Sequence, residues 1–196
     1  MGFSIAWIAV QTENHDSIFE LLDVNPTSEE DEYFESKLSG SALKNGWFLL
    51  VGQGFENRLV QNDVLSELSE FGPTVACSIE EHVMYSSAEY WSSGSKKWTA
   101  VHDAQKGRYN LETSGSLPIS FESLNARVTK EQDAEGGEKA DVDLIFDIPL
   151  LLASELTGFK HDEDCESLAQ PNPVVFSEKG VATTATTVKR PWWKLW

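Results

Sequence analysis

The sequence of 196 residues predicts an α+β fold, with a mostly antiparallel sheet of about five strands and helices packed on one face. Strand-like and helix-like apolar runs alternate in the first part of the chain, and a stretch of period-two alternation with glycine-containing turns follows. Regular patterning ends near residue 172. We therefore expect one α+β domain over residues 1–170 and a disordered, flexible tail over residues 171–196.

The first part of the chain predicts two strands and two helices. Residues 3–10 are an apolar run typical of a strand, and Asn14 can cap the short amphipathic helix that follows. Residues 25–45 include a cluster of five acidic side chains, so we expect a solvated loop there. The glycine-bounded run at 46–52 predicts a buried strand, and a second helix is expected from Asn62.

Residues 74–114 predict a three-stranded antiparallel meander. Apolar and polar side chains alternate from the start of this stretch and the alternation passes through Glu81, so one long first strand is expected. Turns at 92–95 and 104–107 each contain a glycine and lead into the second and third strands.

Two more helices are predicted in the last third of the chain. Ser120 is a suitable cap for a helix with an apolar side, and a polar, acidic segment follows at 132–143. Asp147 can cap the final helix, in whose first turn Pro149 is tolerated.

Acidic residues strongly outnumber basic ones, with 32 Asp and Glu against 15 Lys and Arg, and the formal charge is −17. The first 178 residues carry −21 and the last 18 carry +4. Contact with phosphates needs a basic face, so this composition argues against a nucleic-acid-binding protein. A basic protein partner suits the same charge.

The sequence lacks the common catalytic and metal-binding motifs. It has no HExxH, no CxxC pair, no Walker loop, no EF-hand loop and no G-x-S-x-G elbow. Gly52 and Gly54 follow a predicted strand, but Asn57 stands where a dinucleotide fingerprint requires glycine. The acidic run at 161–164 is interpreted as solvated, and we expect no metal and no cofactor.

Four residues of the meander are candidate catalytic groups: Glu81, His102, Tyr109 and Tyr85. Alternation places Glu81 on the apolar face, and pairing across the turns sets Tyr85 opposite His102 and His102 opposite Tyr109. A buried carboxylate beside a histidine can act in acid–base chemistry. The alternative is that Glu81 lies at a bulge or binds a backbone group, and that the others are packed side chains.

The opposite face of the meander supplies candidate binding residues. The same alternation assigns Glu80, His82, Asp103 and Arg108 to it. Asp103 and Arg108 are expected to form an exposed cross-strand pair that contributes little to stability.

The last eight residues differ from the rest of the chain. They combine three basic residues with Trp192, Trp193 and Trp196. A basic, aromatic end on a flexible linker is typical of a segment that docks in a groove or binds a membrane surface weakly and peripherally. The alternative is that the tail folds back on its own acidic domain.

Two observations concern the cellular compartment. The sequence has two cysteines, which is too few for a disulfide framework. No run approaches the roughly 18 apolar residues of a membrane span, and the apolar start lacks the features of a signal peptide. We therefore expect a cytoplasmic protein.

Two stretches of the sequence carry a recognisable pattern. The first is EEHVMYSSAE at residues 80–89, followed by Trp91, Gly94, Trp98 and His102-Asp103. The second is EGGE at 135–138, DVDLIFDIP at 141–149, LTGF at 156–159 and His161-Asp162. Together they resemble a family of uncharacterised bacterial proteins over about residues 1–165. The resemblance implies a bacterial cytoplasmic protein and carries over no catalytic role.

These observations lead to two main functional hypotheses and to a third possibility, a structural or scaffold domain tethered by the tail. The first is a non-enzymatic binding protein whose acidic surface engages a basic protein partner, as an immunity-type inhibitor or an adaptor would. The alternative is a small enzyme that uses a Glu/His/Tyr pocket on the sheet face, with Glu81 as the acid–base group and His102 assisting.

Overall fold

The computed structural model describes residues 2–163 and 166–180, and within them one sheet of nine strands carries four α-helices. In chain order the elements are β1 (Ser4–Gln11), α1 (His15–Leu22), β2 (Val24–Glu30), β3 (Leu38–Ala42), β4 (Trp47–Gln53), α2 (Asn62–Phe71), β5 (Thr74–Glu80), β6 (Tyr85–Ser92), β7 (Ser95–Asp103), β8 (Leu111–Gly115), α3 (Phe121–Ala134), α4 (Asp147–Thr157) and β9 (Val174–Glu178). The spatial order is β2-β9-β3-β4-β1-β5-β6-β7-β8, and every neighbouring pair is antiparallel.

The chain is α+β, but the prediction of about five strands with helices on one face is wrong. The sheet has nine strands within the described residues, and helices cover both of its faces. On β1, Trp7 and Ala9 pack in one core with side chains of α3 and α4. Ile8 and Val10 point the other way and pack in a second core with α1 and α2. Each face of the central strands is therefore buried, which explains their continuous apolar runs.

One of the unpredicted strands results from a turn that the alternation hides. Residues 81–84 connect β5 to β6, and Glu80 pairs with Tyr85 across this turn. Met84 has a φ of 51°, the left-handed conformation that the turn requires. The turn has four residues, so Glu80 and Tyr85 point to the same face of the sheet although one number is even and the other is odd. Odd-numbered side chains therefore point to one face on β5 and to the other face on β6. The alternation along the sequence does not reveal this change. The predicted long strand is therefore two strands.

Three further strands, β2, β3 and β9, lie in segments that were expected to be loop or tail. Four of the five residues of β3 are small, and a Cβ at Gly40 would lie 2.6 Å from Leu50 Cδ2. β2 is an edge strand with Pro26 and an irregular register between Pro26 and Glu30. Small or edge residues give a weak hydrophobic pattern, so the sequence does not reveal these strands.

Candidate functional site

The pairing of the meander differs from the prediction by one residue. Ser92 does oppose Ser95, but Trp91 opposes Lys96 and Tyr90 opposes Trp98, which leaves Lys97 as an extra residue. This bulge sets Tyr85 opposite Asp103 instead of His102, so the predicted Tyr85–His102 pairing is wrong. Since neighbours on a strand alternate in direction, Tyr85 and His102 lie on opposite faces of the sheet.

His102 is fully buried under the segment that precedes α4. Its Nδ1 lies 2.7 Å from the carbonyl oxygen of Asn110, and its Nε2 lies 3.2 Å from Oδ2 of Asp143. Arg108 Nη1 approaches the same carboxylate oxygen at 3.4 Å. A carbonyl oxygen can only accept a hydrogen bond, so Nδ1 is the donor to Asn110. The side chains of His102 and Asp143 are 0% and 1% exposed, which closes the ring to a substrate.

Glu81 lies in the turn after β5 and belongs to a different cluster. Its Oε2 accepts a hydrogen bond from the backbone N–H of Phe3 at 2.8 Å. Its Oε1 lies 3.2 Å from Nε2 of His161, whose side chain is 2% exposed. The Phe3 ring packs edge-on against the His161 ring, with centroids 5.2 Å apart. Glu81 therefore pairs with His161 and the start of β1, and its partners do not include His102.

Lys160 forms an ion cluster beside His161. Its ammonium lies 3.1 Å from Asp147 Oδ1 and 2.6 Å from Asp162 Oδ1. Burial alone would lower the pKa of Lys160, but the two carboxylates outweigh burial and raise it. This cluster fixes the chain after α4 to the first turn of that helix. The acidic run at 161–164 predicts a solvated segment, so this cluster is not evident from the sequence.

The two candidate tyrosines have other partners. The Tyr109 hydroxyl donates a hydrogen bond to the carboxylate of Asp133, and this bond raises the pKa of Tyr109 to about 12. Tyr109 precedes β8, whose Leu111 takes the place opposite His102, so the predicted pairing of His102 with Tyr109 is wrong. The Tyr85 ring packs against the Phe55 ring, with ring centroids 5.8 Å apart.

The four candidate binding residues of the domain are engaged locally. Glu80 accepts hydrogen bonds from Ser4 and His82, which lower its pKa. Asp103 accepts the N–H of Gln105 and lies 3.7 Å from Lys106 Nζ.

Arg108 donates to two backbone carbonyls of the segment before α4. Its Nη1 reaches Val142 and its Nη2 reaches Ala140, each at 2.9 Å. Its ion-pair partner is Asp143, so the expected pair with Asp103 is wrong. The tail residues Trp192, Trp193 and Trp196 lie outside the described residues.

Two helices with exposed acidic side chains pack on the second face of the sheet. Helices α1 and α2 lie side by side there, and Ile18, Leu65 and Leu68 hold them in one core. Neither helix contains Lys or Arg. We call their exposed carboxylates the acidic helix face: Asp16, Glu20, Asp63, Glu67 and Glu70. The acidic excess was evident from the sequence, but the adjacency of these two distant segments was not.

Neither a metal site nor a membrane-spanning helix is found within residues 2–163 and 166–180. No group of three or more His, Cys, Asp or Glu side chains there could hold a metal ion. No helix in those ranges is both long enough and apolar enough to cross a membrane. Comparisons of the chain with protein-family models, curated proteins and solved structures found no match. What the protein does is therefore inferred from its own side chains.

Proposed function

We propose that the chain is a non-enzymatic binding protein of the bacterial cytoplasm, and that its acidic helix face engages a basic protein partner. An immunity-type inhibitor or an adaptor would bind in this way. The observation that carries the proposal is the set of five exposed carboxylates on two neighbouring helices that contain no Lys or Arg.

Electrostatics supports this use of the surface. Within the part of the chain that the structure describes, none of the five carboxylates has an ion-pair partner. Like charges on one surface produce a negative potential that draws in a cationic partner and speeds its association. Lys and Arg side chains of a partner would neutralise this repulsion, whereas nucleic-acid phosphates would increase it.

An apolar side chain beside the carboxylates favours a protein over a small cation. Phe71, the last residue of α2, follows Glu70 directly and is 40% exposed. Protein interfaces typically combine an aromatic anchor with a charged rim. The acidic helix face with Phe71 at one end has this composition.

The geometry gives the enzyme alternative less support. The four residues that the sequence predicted to share a pocket have different partners, and Tyr85 lies across the sheet from His102. His102 is sealed from solvent, with both ring nitrogens engaged. An acid–base group needs access to the substrate proton, and His102 has none in this conformation.

Two charge-matched variants test the proposal. The first neutralises the acidic helix face with Asp16→Asn, Glu20→Gln, Asp63→Asn, Glu67→Gln and Glu70→Gln. The control neutralises five exposed acids of α3 and the loop that follows it, with Glu122→Gln, Glu131→Gln, Glu135→Gln, Glu138→Gln and Asp141→Asn. Both variants change the net charge equally, so a difference between them reports the position of the charge.

The measurement is retention of bacterial lysate proteins on the immobilised full chain. We expect a basic protein that binds the wild type and the control, is lost from the first variant, and dissociates as ionic strength rises from about 0.05 to 0.3 M. Retention that is the same for both variants, or retention of no basic protein, would refute the proposal.

A further inference from the structure

A cavity of about 510 Å³ lies where strands β3 and β9 separate. β9 pairs with β3 only at Ser39 and Gly40, and from Phe176 onward it continues beside β2. Small-molecule sites typically have volumes of roughly 300–1,000 Å³. The topology of the sheet therefore leaves a space of the size that a ligand needs.

The inner wall of this cavity is apolar. Five different segments each contribute one side chain, namely Leu22 of α1, Val24 of β2, Leu38 of β3, Leu59 of the short turn at 58–60, and Phe176 of β9. An alkyl or aromatic group placed against this wall would be removed from water, which is favourable in proportion to the area covered.

The mouth of the cavity is charged and carries two cations. Lys37 Nζ lies 2.7 Å from Glu178 Oε1, and their side chains are 86% and 62% exposed. Arg58 Nη1 donates to the backbone carbonyl of Leu22 at 3.3 Å, and Arg58 forms no ion pair within the described residues. Lys37, and to a smaller extent Arg58, lower the pKa of Glu178, so the mouth holds two positive groups around one carboxylate.

We propose that this cavity binds a small amphipathic carboxylate, with its apolar chain between β3 and β9 and its carboxylate against Arg58 and Lys37. The Arg58 guanidinium has five N–H donors and spends one on Leu22, so it can still hold a carboxylate bidentately. The exposed Lys37–Glu178 pair contributes little to stability, which lets Lys37 exchange Glu178 for a ligand. This site does not depend on the acidic helix face.

The probe is sodium decanoate, added to the ¹⁵N-labelled full chain and followed by amide chemical shifts. We expect saturable shifts at residues 37–38, 58–59 and 176–178, with a dissociation constant of about 1 mM or lower. Decanol has the same chain without the charge, and it should bind about tenfold more weakly because it forms no charge-assisted hydrogen bonds. Decyltrimethylammonium carries the opposite charge and should not bind more tightly than decanol.

Arg58→Gln tests the charged mouth, and Arg127→Gln on α3 is the matched control because both arginines are exposed. We expect Arg58→Gln to weaken decanoate binding about tenfold or more, and Arg127→Gln to leave it unchanged. The ¹⁵N spectra of both variants show directly whether they remain folded.

Three outcomes would overturn the proposal. Equal binding of decanol and decanoate would remove the role of the cations, and tighter binding of decyltrimethylammonium would assign the mouth to Glu178. Absence of shifts at the cavity up to about 10 mM decanoate would mean that no carboxylate of this kind enters it.

Discussion

His102 and Asp143 form a buried pair in which Nε2 of the ring lies 3.2 Å from Oδ2 of the carboxylate. The pair joins β7 to the segment between α3 and α4, and Arg108 reaches the same carboxylate from the surface. Its position inside the domain makes it a contact that stabilises the fold.

Replacement of His102 by alanine should lower the free energy of unfolding by about 2–4 kcal/mol, because the buried Asp143 carboxylate keeps only Arg108 as an ionic partner and the deleted ring leaves a cavity. Urea unfolding at neutral pH measures this change. His82→Ala is the matched control, because the His82 side chain is 62% exposed and its loss should cost less than about 1 kcal/mol. Equal losses in the two variants would contradict a stabilising role for the buried pair.

Asp31 should make stability depend on pH in the acid range. Burial alone would raise the pKa of Asp31, but hydrogen bonds from the Ser39 hydroxyl and from the N–H groups of Ser36 and Glu35 outweigh burial and lower it. Because the folded-state pKa lies below the unfolded one, the stabilisation is fully present above about pH 4. It is lost as the pH falls through the folded-state value.

Asp31→Asn tests this dependence. The variant should be less stable than the wild type at pH 7 by about 1–3 kcal/mol, and the difference should shrink as the pH falls to about 3. Urea unfolding at several pH values gives both quantities, and Glu32→Gln provides an exposed neighbouring control. A difference that stays constant across the series would rule out ionised Asp31 as its source.

Lys160→Met should destabilise the protein by about 1–3 kcal/mol at pH 7, because Asp147 and Asp162 lose their buried cation. The pKa of Lys160 is raised above the usual 10.5, so its contribution is complete at neutral pH and is lost only as the pH rises through the folded-state value. Lys130→Met on the exposed side of α3 is the control. Guanidinium unfolding should separate the two variants, and matching midpoints would contradict the prediction.

Gly40→Ala should destabilise the sheet by overpacking, at a cost of about 1–3 kcal/mol or more. The added methyl group would lie 2.6 Å from Leu50 Cδ2 and 2.7 Å from the carbonyl oxygen of Leu49. Gly54→Ala is the control, because a Cβ there meets no atom within 4 Å and only its φ of +84° opposes the change, by about 1 kcal/mol. Thermal unfolding should show the larger loss for Gly40→Ala, and the reverse order would contradict close packing at β3.

Strong local patterns made some elements predictable. The four helices lie where amphipathic spacing placed them, β1 and β4 lie where apolar runs placed them, and β5 begins where the period-two alternation begins. β2 and β9 have few buried side chains, so they are recognisable as strands only from their pairing with strands that are distant in the sequence. Such pairing leaves no local signal.

The candidate site was less predictable because it depends on register and on distant contacts. One extra residue, Lys97, shifts the register so that Tyr85 and His102 lie on opposite faces of the sheet. No feature of the sequence marks this bulge. The partners of His102 and Glu81 are Asp143 and His161, which are 41 and 80 positions away along the chain. Periodicity within a segment carries no information about such partners.

The two outermost strands limit how this protein can associate with other chains. In β2, Pro26 has no backbone N–H, the pairing register is irregular between Pro26 and Glu30, and the strand ends in two glutamates. β8 has only five residues, and four of them are exposed. A foreign strand would find an irregular row of peptide groups along β2 and only a short one along β8. Both features disfavour fibril growth and recognition by main-chain augmentation at these borders.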